Sequence, residues 1–180
     1  MALPYEARNV RPAGRMNPDG VTSTMGGVLP GRYGLVVLSD ASVRLEKVTL
    51  RGEDITDLPF DVAETDVSDL VITMASGAGA RLSGTVTSNT GDNCVLLFPA
   101  DRKLWVEPGA SRRWFATLPV SRAGAFGSDP SLPAGEYFVM LVPDDQAADW
   151  QIRSELEKLA PRAQRVTIGA GENKVIEVKR

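Results

Sequence analysis

The sequence contains no histidine. That absence removes Ser-His-Asp and Cys-His catalysis and every His-ligated metal site. An enzyme built from this chain would have to run on carboxylate or lysine chemistry. There is one cysteine, Cys94, so no disulfide can form within the chain. Its setting, NCVLLFP, is apolar, and Cys94 reads as a small buried hydrophobe of a strand, because reactive thiols need accessible, electropositive surroundings. No run of about 18 apolar residues is present, so no membrane-spanning helix is expected. The opening MALPYEARNVRPAGRMNPDG lacks the apolar segment of a secretory leader. Walker, GxGxxG, CxxC and HExxH motifs are all missing.

Charge of one sign is also missing. Residues 1–79 carry 7 basic and 11 acidic groups, net −4, and residues 80–180 carry 13 and 12, net +1. Neither half has the basic surplus of a nucleic-acid footprint. With 43% hydrophobic residues against 24% charged, the chain has ample material for a packed core.

What is present is a phrase written twice. LPGRYGLVVL occupies 29–38 and LPAGEYFVML occupies 132–141. In each, a proline suits the second position of a turn, a glycine offers the positive φ that many turns need, and a tyrosine opens a β-prone apolar run. The echo extends backwards to Gly20 and Gly124, and forwards to the strands LVITMA and KVIEVK. A repeat of this length predicts two related supersecondary units in series. In the second unit, RLSGTVTS alternates Leu82, Gly84 and Val86 with Ser83, Thr85 and Thr87. CVLLFPA and RRWFATLP read as strands, and RVTI and KVIEV as a terminal hairpin. In DWQIRSELEKLAP, Ile152, Leu156 and Leu159 fall on one face of a short helix over about 149–160, with Asp149 as N-cap and Pro161 ending it. The predicted use of that apolar stripe is packing on the sheet.

These residues carry a resemblance. LSGTV, an apolar strand, a G.F turn and LPAGEY before another apolar strand resemble the carboxypeptidase regulatory-like domain. The order KVTLRGEDITDLPFDV, LVITM, LSGTV, VLLFPADRKLW, RVTI is similar to C-terminal regions of large bacterial multidomain proteins. The resemblance covers roughly 20–180. It implies an all-β fold of transthyretin-like, Cna B-type or Ig-like sandwiches. It also implies a structural, spacing or protein-binding role without enzymatic activity, and an extracellular, cell-surface or periplasmic setting. The turn RAGAF departs from the family by holding Ala123 where Asp or Asn usually precedes the glycine.

The expected organisation is an N-terminal arm or remnant strand (1–19), an incomplete sandwich (20–78) and a complete one (79–180) with the helix. Aligned backwards from the shared phrase, Tyr5–Val10 would match Arg113–Thr117, leaving the first unit two strands short. Three explanations stand open: a fragment of a longer protein, a reduced sheet, or a strand supplied by another chain, which between copies would build filaments. Partners are therefore protein, including other copies, with a glycan as the alternative. For that alternative, Trp105 and Trp114 would form an exposed stacking platform beside Arg112. No cofactor and no catalytic residue is expected. Clustered acids make Asp54, Asp57 and Asp61, beside Glu53, weak calcium candidates. Asp144, Asp145 and Asp149 form a second such group, and Asp101 with Glu107 an arbitrary carboxylate pair.

Overall fold

Strand follows strand along this chain because β-branched and aromatic runs alternate with Gly, Pro and Asp turns. The computed structural model describes residues 2–4, 14–37, 42–87, 93–105, 112–144 and 152–179. Two compact units result, Met1–Ser39 with Leu45–Ala75, and Asp40–Arg44 with Ser76–Arg180. The first holds β1 (Ala2–Pro4), β2 (Arg15–Met16), β3 (Ser23–Thr24), β4 (Gly31–Leu35), β5 (Val43–Leu50), β6 (Glu53–Asp54), β7 (Phe60–Val62) and β8 (Leu70–Ser76). The second holds β9 (Arg81–Val86), β10 (Asn93–Pro99), β11 (Ala116–Pro119), β12 (Ala125–Gly127), β13 (Gly135–Pro143), the helix α1 (Arg153–Leu159), β14 (Gln164–Ile168) and β15 (Asn173–Val178).

The second unit is a sandwich of one sheet in the order β11-β10-β13-β14 and another in the order β12-β9-β15. Its core joins Leu82, Val86 and Phe126 of one sheet to Val95, Leu97, Tyr137, Val139 and Ile168 of the other. β10 and β13 read as continuous apolar runs because their outer faces are covered too. Leu96, Phe98, Met140 and Val142 pack there with Trp105, Phe115 and Leu156. Of the helical stripe, Leu156 is buried on that face, whereas Ile152 is 44% exposed.

Four expectations are corrected here. RVTI and KVIEV do not form a hairpin: β14 joins β13, while β15 crosses to pair in parallel with β9. The segment RRW is a 3-10 turn, with the strand starting only at Ala116. The helix begins at Arg153 with Ile152 as its N-cap and no capping side chain, Asp149 lying outside the described residues. Pro161 follows α1 within a 3-10 turn over Ala160–Arg162, where its missing N–H is tolerated. Gly135 does not take positive φ. It is glycine because a Cβ there would lie 2.7 Å from the Trp114 ring.

Around its tyrosine strand the first unit repeats the pairing of the second, with matching register on both edges. β13 pairs β14 with Gly135 opposite Ile168 and Tyr137 opposite Val166. β4 pairs β7 with Gly31 opposite Val62 and Tyr33 opposite Phe60. On the other edge, β10 sets Pro99 opposite Tyr137, Phe98 opposite Phe138 and Leu97 opposite Val139. β1 sets Pro4 opposite Tyr33, Leu3 opposite Gly34 and Ala2 opposite Leu35. β1 is therefore the counterpart of the end of β10. The turns at Gly20 and Gly124 both have positive φ, and each glycine donates its N–H to the carbonyl three residues back. β2 and β3 flank the first turn as β11 and β12 flank the second. This corrects the expected strand count. Among the described residues β9 has no counterpart in the first unit, β5 and β6 have none in the second, and Tyr5–Val10 lies outside them.

Candidate functional site

Each shared phrase closes a tyrosine corner, a buried tyrosine whose hydroxyl ties back to the backbone of the turn. Tyr137 donates to the Pro133 carbonyl at 2.7 Å, and Tyr33 donates to the Leu29 carbonyl at 2.7 Å. Both reach four residues back, so the one-residue difference between the phrases moves the acceptor from proline to leucine.

Beyond the corners the units diverge, with β5 and β6 standing in the chain where the second unit has its helix. In the second unit Leu132 is 4% exposed, its N–H and C=O both bonded to Ala80, just ahead of β9. By the register of the tyrosines its counterpart is Val28, half-buried against the core of the first unit. β15 lies against β9 along its whole length, from Asn173 opposite Arg81 to Val178 opposite Val86. Its counterpart β8 is an edge strand in the sheet β6-β5-β8. Val71, Ile72 and Met74 of β8 are 56%, 40% and 37% exposed, and β8 contains no charge and no proline. Edge strands are normally blunted by such residues.

The open backbone groups of β8 can be named. The Asp69 carbonyl accepts from the Arg51 N–H, and the Gly77 N–H donates to the Ser42 carbonyl, so β8 runs antiparallel to β5. Across a trans peptide the C=O and the next N–H point opposite ways. The Leu70 N–H is therefore turned away from β5, and alternation turns Ile72 and Met74 with it. At the far end the Ser76 carbonyl is covered by the Arg44 guanidinium at 2.7 Å.

The sequence-predicted sites fare otherwise. Trp105 is 2% exposed, its indole N–H bonded to the Pro99 carbonyl at 2.8 Å and its ring packed near Phe98 and Phe138. Trp114 is half-buried against Tyr137, ring centroids 5.3 Å apart. They are packing residues and make no exposed platform, which corrects that expectation; the Arg112 side chain and Trp150 lie outside the described residues. The calcium expectation is likewise corrected, since no group of three or more potential ligands comes together among the described residues. Asp54 on β6 and Asp61 on β7 belong to different sheets. Asp54 is taken up by the Thr56 hydroxyl and N–H, which lower its carboxyl pKa, with Lys47 at 3.7 Å. Asp101 caps a 3-10 turn through the Lys103 N–H at 2.9 Å. Glu107, Asp145 and Asp149 lie outside the described residues. Cys94 is buried. A cavity of about 450 Å³ lined by Val139, Met140, Arg162, Gln164, Glu177 and Lys179 holds one carboxylate, and that of Glu177 accepts from the Thr87 hydroxyl at 2.8 Å.

No protein-family model matches the sequence, and no curated protein does either. Solved structures give faint likenesses. A DUF3823 family protein from Bacteroides ovatus is 16% identical over 56% of this chain and 43% of its own, with a TM-score of 0.34. A proposed carbohydrate-binding protein from Pseudomonas aeruginosa is 14% identical over 57% of this chain and 89% of its own, at 0.30. The Bacillus anthracis TIE protein is 11% identical over 87% of this chain and 35% of its own, at 0.33. The chain spans under half the length of the first and third of these. At such identities likeness concerns the fold alone, and scores of this size carry no functional argument. The fold stands on its own strands: a mostly-β sandwich protein with one short α-helix among the described residues.

Proposed function

We propose that this chain is a non-enzymatic structural or protein-binding module of carboxypeptidase regulatory-like type, serving a bacterial protein outside the cytoplasm. The family and the setting come from the resemblance of LSGTV, the glycine turn and LPAGEY. The absence of histidine supports the non-enzymatic reading by removing the commonest acid–base and nucleophile partners. The observation that carries the protein-binding reading is the bare edge of β8. In this uncharged strand the outward N–H and C=O groups of Leu70, Ile72 and Met74 have no partner among the described residues, a template for another strand. Among the described residues no helix is long and apolar enough to cross a membrane.

The test is sedimentation of the native chain against a charged-edge variant, Ile72→Lys with Met74→Lys. Both side chains are exposed already, so the fold should survive the change. Native chain that associates with itself or with an added unfolded polypeptide, where the variant stays monomeric, is the expected result. Indifference of both proteins to every polypeptide offered, at up to millimolar concentration, would remove the protein-binding reading.

A further inference from the structure

We infer that the open edge of β8 is a slot for one added strand, running parallel to β8 and carrying the pattern of β9. The inference rests on the protein-binding reading above and specifies its ligand. The second unit serves as the template. There the strand in the equivalent place is Arg81–Val86, parallel to β15, with Leu82 and Val86 buried between the sheets. At its centre stands Gly84, where a Cβ would lie 1.8 Å from the Ile176 carbonyl oxygen. A strand entering the first unit must therefore offer apolar side chains at alternate positions and a small residue at the closest approach to β8.

Two further features agree. β12, the other neighbour of β9, is antiparallel to it. Its counterpart β3 pairs only with β2 among the described residues and keeps a bare edge. The open groups of β8 belong to Leu70, Ile72 and Met74. Those of β15 that face β9 belong to Lys174, Ile176 and Val178, since the Glu172 and Val178 carbonyls accept from Arg81 and Thr87. A second copy of the chain is a poor donor of such a strand, because its own β9 is held on both edges by β12 and β15. The occupant is thus an unpaired segment of β9 type supplied by a different polypeptide.

The experiment is residue-resolved amide exchange on the whole chain with and without a synthetic peptide of the sequence Ala78–Thr87. With peptide, the amides of Leu70, Ile72 and Met74 should slow by about tenfold or more, while Val71, Thr73 and Ala75, already facing β5, should not change. Ile72→Pro removes only an outward N–H and should leave the fold intact while abolishing the peptide effect. Slow exchange at those three amides in the chain alone would overturn the inference. So would protection that follows protein concentration and ignores peptide. This last result would mean that β8 pairs with β8 of another copy, which sinks the parallel slot but leaves the protein-binding reading standing.

Discussion

The two tyrosines show how much a single side chain fixes. Each anchors the first turn of a central strand by one hydrogen bond inside a packed core. Tyr137→Phe should cost about 1 kcal/mol of stability, with the bond's acceptor left unpaired, and Tyr33→Phe a similar amount. Denaturant unfolding of each variant checks this. The equivalence of the tyrosines was legible in LPGRY and LPAGEY, but the acceptor carbonyl was not, because sequence does not say how a turn folds back. The reason for Gly135 was likewise hidden, since it depends on Trp114, some twenty residues away in sequence. Cys94 is the other residue with a measurable signature. Burial first, then the nearby Asp144 carboxylate, pushes its thiol up to about 11. The fold favours the neutral thiol, so its contribution is full below the ordinary thiol range and fades as pH rises from there through about 11. A thiol reagent at pH 8 should modify native protein far more slowly than unfolded protein. Equal rates would contradict the burial.

At the scale of elements, apolar patterning located strands well and their partners poorly. β10 and β13 announced themselves as runs buried on both faces. β14 and β15, adjacent in sequence, were read as a hairpin because a GAGEN turn joins them. They part because β13 accepts β14 while β9 accepts β15, a choice made by non-local packing. The parallel pair depends on Gly84, so Gly84→Ala should separate β9 from β15 and destabilise the second unit by several kcal/mol, of order 3. Circular dichroism melts would show it, and a melt unchanged from the native one would refute it. Leu156→Ala should cost about 2–4 kcal/mol, since that side chain alone in α1 is fully buried against the outer face of the sheet. β1 was missed altogether. Three residues, ALP, give periodicity nothing to work on, and their kinship with LFP of β10 emerges only through the register opposite each tyrosine.

Across the whole molecule the chain forms two compact units of unequal core. The first unit's core is small, centred on Tyr33 and Phe60 with partly buried neighbours such as Leu35, Ile55 and Val62. The second has two extensive clusters. Stability should therefore be uneven, with the first unit unfolding at lower denaturant than the second in a two-step transition. Occupation of the β8 edge should bring the steps closer together. The repeated phrase marks the two tyrosine corners, whereas the pairing of β1 lies beyond what alignment from that phrase reaches. The most direct measurement compares amide exchange at two equivalent sets of residues in the unliganded chain at low concentration. Lys174, Ile176 and Val178, which face β9, should exchange slowly, and Leu70, Ile72 and Met74 should exchange near the rate of solvated peptide. Equal protection of both sets would mean that β8 is no open counterpart of β15, and the account would fail.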